Sequence, residues 1–217
     1  MLRFLPSRLR PALPMRLLAL SLSLLPVTTA SAAPQTPLRQ LDLSGALYAV
    51  GLAENDPLFL LAAAKLRRNF DFQLAEGAEP HNGRTRPMTW QAILEAARGM
   101  AFGDSSMLAM IDDLEAEGAR GVTTGQIYSI AEIGEGGLDV YDPLAFEAGQ
   151  YAEVYVEAAA GADLNLYVYD QAGNLVCADT DPSPVSYCGW RPAEAGNFVI
   201  KVENKSEESS GYALMTN

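Results

Sequence analysis

The hydrophobic period of this chain changes from helical to alternating part-way along, and that change limits the fold more than any other feature. Between Thr36 and Glu117 the apolar residues recur at helical spacing. Leu41, Leu43, Leu47, Val50 and Leu52 mark one helix, and Leu58, Leu61, Ala64 and Leu66 mark the next. Asn55-Asp56-Pro57 between them is a stop and a restart, with Asp56 suited to the N-cap and Pro57 to the first helical position. A second pair follows: Trp90, Ile93, Leu94 and Ala97, then Met107, Met110, Ile111 and Leu114 after Gly103-Asp104-Ser105. GLAENDPLFLLA from Gly51 and GMAFGDSSMLAM from Gly99 align Gly on Gly and Asp on Asp at an offset of 48 residues. Two such units are too few for a solenoid, so about four helices in two hairpins are expected over 36–117.

From Leu138 onwards the period is two. Ala152, Val154 and Val156 alternate with Tyr151, Glu153, Tyr155 and Glu157, and Leu164, Leu166 and Val168 repeat the pattern. Further strands are expected over 185–190, 197–203 and 211–216, which makes residues 138–217 an antiparallel β-sandwich and the whole chain α+β. Glycines at 118, 121, 125, 134, 136 and 137 read as a Gly-rich linker over 118–137. The stretch from Asn69 to Met88 has no sustained period and reads as a loop carrying His81, the single histidine.

The N-terminus carries Arg3, Arg8, Arg10 and Arg16, then the apolar run Leu17 to Val27, then Ala30-Ser31-Ala32, the pattern of a secretory signal peptide over 1–32. The run is shorter than the roughly 20 residues that span a bilayer, so no transmembrane segment is expected after cleavage. The mature chain is then expected in the periplasm or secreted. Its charge shifts from −12 to 11 basic against 27 acidic groups, or −16. Such a field repels nucleic acid and anionic lipid. Cys177 and Cys188 in an exported chain read as a disulfide, with a reactive or metal-binding thiol pair as the alternative to a bridge.

The stretch DLNLYVYDQAGNLVCADTD, Asp163 to Asp181, carries the chemistry. Gln171-Ala172-Gly173 fits a three-residue hairpin loop with Gly173 left-handed. Regular pairing from that turn sets Val168 opposite Val176, Tyr167 opposite Cys177, Asn165 opposite Asp179 and Asp163 opposite Asp181. Asp163, Asn165, Asp179 and Asp181 would then crowd one end of one face, a set of oxygens that suits calcium. The alternative is that Asp179 and Asp181 cap turns around Pro182 and Pro184. Tyr151, Tyr155, Tyr167 and Tyr169 are expected on the exposed face, where they could stack on sugar rings or pack on a partner; if the helices cover that face, they become core instead.

The run Phe146 to Asp181, with Tyr187-Cys188-Gly189-Trp190 and GNFVIKVEN after it, resembles the bacterial pre-peptidase C-terminal domain over about 138–217. The resemblance implies a small β-sandwich of exported bacterial proteins, often appended to secreted hydrolases. Some members bind calcium and some hold polymeric substrates. Asp163-Leu164-Asn165-Leu166 departs from the Asp-Leu-Asp-Leu of many relatives by one carboxylate.

No nucleophile elbow, zinc-binding helix or phosphate loop occurs. Asp112, Asp113 and Glu115 read as the solvated side of a helix. The sequence therefore points to an exported, non-catalytic binding or accessory protein, acting on a protein or polysaccharide of the bacterial cell envelope, with calcium as its expected cofactor. The other reading is an accessory subunit or remnant of a secreted protease or glycosidase system.

Overall fold

A computed structural model describes residues 36–74, 87–118 and 123–217. The signal-like segment and His81 lie outside the described residues. The described residues include four helices: α1 (Pro37–Glu54), α2 (Pro57–Arg67), α3 (Trp90–Met100) and α4 (Ser105–Glu117). Each begins at a side chain that accepts a backbone N–H: Thr36 from Arg39, Asp56 from Leu58, Thr89 from Ala92, and Asp104 from Ser106 and Met107. A cap of this kind stabilises a helix by about 1 kcal/mol. Leu60, Ile93, Leu94, Ala97, Ile111 and Leu114 form the core of the helical cluster. Gly51 lets α1 approach α2, because a Cβ there would fall 2.1 Å from Leu60 Cδ1.

Among the described residues ten strands make two sheets. They are β1 (Phe70–Leu74), β2 (Thr123–Ile133), β3 (Leu138–Val140), β4 (Leu144–Phe146), β5 (Ala152–Ala158), β6 (Leu164–Tyr169), β7 (Leu175–Asp179), β8 (Val185–Trp190), β9 (Gly196–Asn204) and β10 (Ser210–Thr216). Sheet 1 runs β1-β2-β10-β5-β8, and sheet 2 runs β3-β9-β6-β7 with β4 also paired to β9. One hydrophobic cluster takes side chains from both, including Val154, Val156, Trp190, Tyr212 and Leu214 of sheet 1 and Leu164, Leu166, Val168, Ile200 and Val202 of sheet 2. The Cys177–Cys188 disulfide ties β7 to β8, and so one sheet to the other.

The opposite face of sheet 1 is covered as well. Leu38 and Leu41 of α1 and Phe70 of β1 pack on Ile127, Ile130, Tyr155, Ala213 and Met215. Every residue of β5 is therefore buried, including Glu153, Tyr155 and Glu157. Alternation in this strand sorts residues between two buried layers, whereas the sequence expectation sorted them between core and solvent.

Burying those polar groups requires partners, and Arg67 at the end of α2 supplies them. Its side chain is 2 % exposed. Nη1 donates to both Glu157 oxygens at 2.8 and 2.9 Å and to Met88 O at 2.8 Å. Nη2 donates to Tyr155 Oη at 3.2 Å and Leu41 O at 3.4 Å, and Nε donates to Ser44 Oγ at 3.2 Å. The Tyr155 hydroxyl in turn donates to Glu157 Oε2 at 2.5 Å. Burial alone would lower the Arg67 pKa, but the adjoining Tyr155 and Glu157 outweigh it and hold it raised. Burial, then the Glu157 charge, pushes the Tyr155 pKa well above the ordinary value.

Two expectations about the chain's organisation are corrected. The interval 118–137 is not a linker, because it contains the 11-residue β2. Thr123, Thr124, Ile127, Tyr128, Ile130 and Ile133 suit a strand, and the surrounding glycines punctuate strand ends as readily as they loosen a linker. Nor does 36–117 stand apart as a helical region. β1 lies within it and pairs with β2, in parallel, so the sheets are not wholly antiparallel. Asn204-Lys205-Ser206 matches the N-glycosylation pattern by chance: Asn204 is fully buried and its amide donates to Ile133, Gly134 and Glu208 carbonyls.

Arg67→Met leaves the buried Glu157 carboxylate without its cation and is expected to cost about 3–5 kcal/mol. The double change Arg67→Met with Glu157→Met should cost less than either single one, as read from urea midpoints. In base, Tyr155, Tyr187 and Tyr212 all hold their protons above the ordinary range, through burial first and then neighbouring acids and tyrosines. Their folded pKa values exceed the unfolded value of about 10, so the stability they contribute is complete below that pH and is lost as pH rises beyond it. Melting temperature should fall above about pH 10, and tyrosinate absorbance should appear in step with unfolding.

Candidate functional site

Sheet 1 has both faces covered, while sheet 2 presents its second face to solvent. On β6 the residues alternating with the buried Leu164, Leu166 and Val168 are Asn165, Tyr167 and Tyr169. On β9 they are Asn197, Val199, Lys201 and Glu203, between the buried Phe198, Ile200, Val202 and Asn204. The register sets Asn165 beside Glu203, Tyr167 beside Lys201 and Tyr169 beside Val199. Leu138 and Val140 on β3 and Leu175 on β7 flank this row and are more than half exposed.

The lower part of the row is satisfied internally. Asn165 Nδ2 donates to Tyr167 Oη at 3.0 Å, that hydroxyl donates to Glu203 Oε2 at 3.1 Å, and Lys205 Nζ lies 3.4 Å from Glu203 Oε1. The upper part opens into a cleft of about 390 Å³ lined by Pro143, Tyr169, Asp170, Gln171, Gly173, Asn197, Val199 and Lys201. That volume lies within the range of small-ligand sites, about 300–1,000 Å³. Lys201 Nζ stands 4.6 Å from the centroid of the Tyr169 ring.

One wall of the cleft is the β6–β7 turn, which forms as the sequence predicts. Asp170 N–H donates to Asn174 O at 2.9 Å, Gly173 N–H donates to Asp170 O at 3.0 Å, and Gly173 has φ 83°. Asp170 accepts the Asn174 amide side chain at 2.9 Å and its backbone N–H at 2.8 Å, which together hold its pKa below the usual carboxylate value.

Beyond the turn the pairing departs from expectation. Tyr169 pairs with Leu175 but Val168 pairs with Cys177, so Val176 is an extra residue in a bulge. Every later pair is displaced by one: Tyr167 faces Ala178 and Leu166 faces Asp179. The slip turns Cys177 toward the core beside Val168, where it reaches Cys188 with a Cα–Cα separation of 5.9 Å. It also separates the expected calcium ligands. Asp179 now shares a side of the sheet with Leu166, whereas the neighbouring Asn165 points to the other side.

Asp179 instead accepts the N–H of Tyr187 on β8 at 2.8 Å and that of Asp181 at 3.3 Å, the second being the turn-capping bond expected of Asp179 in the alternative. Asp163 is tied through its N–H to Ser206 Oγ at 2.7 Å, and its Oδ1 is enclosed without a hydrogen-bond partner among the described residues. One enclosed oxygen does not fit calcium, which takes six to eight. Among the described residues no three His, Cys, Asp or Glu side chains are placed to hold a metal ion.

The four tyrosines are divided as well. Tyr155 is fully buried in the Arg67 network. Tyr151 sits half-buried on the sheet 1 side, with its hydroxyl 3.4 Å from that of Tyr187 and the Arg191 guanidinium 5.6 Å from its ring centroid. Tyr167 and Tyr169 remain on the open face. Sequence reasoning missed Asn197, Val199 and Lys201, although the alternation of GNFVIKVEN already assigns them to a face apart from Phe198, Ile200 and Val202. The acids of α4 form no site, because Asp112 and Glu115 pair with Arg98 at 2.6 and 2.7 Å.

No family model and no curated protein sequence matches the chain. Solved structures similar to it include the pre-peptidase C-terminal domain of a Bacillus anthracis collagenase, at 13% identity and TM-score 0.32 over 41% of this chain and 87% of that one. A periplasmic inhibitor of g-type lysozyme from Aeromonas hydrophila gives 12% identity and TM-score 0.32 over 41% and 81%. The C-terminal CBM6 of a marine laminarinase from Zobellia galactanivorans gives 12% and 0.29 over 39% and 75%. Likenesses so remote carry no function across.

Asn174→Ala removes the side-chain amide's hydrogen bond to Asp170 Oδ2, keeps the backbone N–H bond to Oδ1, and so loosens the turn's hold on Asp170. The Asp170 titration followed by NMR should move up toward about 3.9. Because its folded pKa is the lower one, the contribution of this carboxylate is present above that value and lost as pH falls through the folded pKa.

Proposed function

We propose that this chain is an exported, non-catalytic binding protein whose two-sheet body is a β-sandwich of the pre-peptidase C-terminal kind and whose open face holds a polysaccharide of the cell envelope. The observation that carries this reading is the cleft beside Tyr169. It joins an aromatic ring, an apolar floor of Val199 and Pro143, and polar rim groups from Asn197, Gln171 and Lys201. Sugars have apolar C–H faces and polar edges, and a tyrosine ring with amides around it complements both. The open face differs in this respect from sheet 1, where the tyrosines and acids are committed to one another and to Arg67.

Export is supported by the disulfide, which persists in oxidising compartments. Among the described residues no helix is long and apolar enough to cross a membrane.

Affinity electrophoresis against a panel of envelope polysaccharides tests the reading. Tyr169→Ala should weaken retention at least about tenfold, the equivalent of about 1.4 kcal/mol. Tyr155→Phe should lower the melting temperature but leave retention unchanged. Capture of a secreted hydrolase without any retention on polysaccharide would replace this reading with that of an accessory subunit.

A further inference from the structure

The cleft beside Tyr169 contains a charge that the molecule itself leaves unanswered. Arg39, Arg67, Arg68, Arg98 and Lys205 each pair with a carboxylate. Lys201, like Lys65 and Arg191, makes no such pair among the described residues, but it is the one of the three that lines the cleft, and its ammonium rests over the Tyr169 ring. Acids are not scarce, since the chain has 27 of them against 15 basic residues. Asp170 lines the same cleft, yet its two oxygens are engaged by the backbone and side-chain N–H groups of Asn174.

We infer that the saccharide held at this face carries a carboxylate, as a hexuronate does, and that the carboxylate takes Lys201 while the sugar ring takes Tyr169. This rests on the reading that the open face binds a saccharide, and it names the class. An ammonium over a tyrosine ring is held more weakly than one donating charge-assisted hydrogen bonds to a carboxylate. An arriving carboxylate therefore draws Lys201 off the ring and uncovers the aromatic surface in the same step. The pyranose ring that bears the carboxylate then covers that surface, and Asn197 and Gln171 offer amide donors and acceptors to its hydroxyls.

A neutral sugar must displace the ammonium with no charge to receive it. A small inorganic anion can receive the ammonium but leaves most of the roughly 390 Å³ cleft unfilled. The net charge of −12 opposes a polyanion at long range. Salt screens that field over about 8 Å at physiological ionic strength, so recognition depends on contacts inside the cleft.

The test is titration calorimetry of the full chain with oligosaccharides of polygalacturonate, alginate and hyaluronate, each beside its carboxyl-reduced counterpart. Reduction keeps the ring stereochemistry and removes the charge. At least one acidic series should bind at least about tenfold tighter than its reduced form. Lys201→Met should erase that preference, and Lys201→Arg should retain it, because a guanidinium also pairs with a carboxylate. Bound uronate should also protect Lys201 from acetylation. Equal binding of acidic and reduced forms, or a preference that survives Lys201→Met, would overturn the carboxylate inference and leave saccharide binding standing. Absence of binding to either form in every series would remove both.

Discussion

The buried pair of Arg67 and Glu157 is the constraint on which the rest of the architecture depends. A guanidinium that is 2 % exposed must find acceptors on several sides, and here they come from α1 through Leu41 and Ser44, from the approach to α3 through Met88, and from β5 through Tyr155 and Glu157. Three separate segments meet at this one side chain of α2. Burying an ion pair is costly and adds little net stability, but leaving one partner alone costs far more. Any other seating of the helices on sheet 1 would strand Glu157 or Arg67, so the network specifies where the helical layer sits.

That seating determines which face is left for function. β5 and β6 carry nearly the same alternation, with Glu153, Tyr155 and Glu157 on one and Asn165, Tyr167 and Tyr169 on the other. They lie in different sheets whose inner faces share a core, so their polar sides point in opposite directions. Helices cover the first set, where Glu153 accepts from Tyr187 Oη at 2.7 Å and from the Thr36 hydroxyl. The second set stays open, and its Tyr169 end forms the cleft.

The extra residue at Val176 has a comparable reach. A bulge of one residue reverses which side every later residue faces. In β7 it brings Cys177 inward to Cys188 and dissolves the arrangement of oxygens that regular pairing predicts. The disulfide and the separation of Asp179 from Asn165 follow from the same shift of register.

The sequence by itself determined the elements with strong local signals. The four helices follow the apolar spacing, with the second beginning at the Asp56 cap, and the hairpin turns where Gly173 can adopt a positive φ. The strands from Leu138 onwards are also legible, because alternation in a sheet is a property of the strand alone. Three matters were decided by tertiary structure: the entry of β1 and β2 into sheet 1, the bulge at Val176, and the covering of Tyr155 by helices. Each depends on a partner outside its own strand: β10 for β2, Cys188 of β8 for Cys177, and Arg67 for Tyr155 and Glu157. Alternation states that a strand has two different faces, but only the packing of the other layers settles which of them meets water.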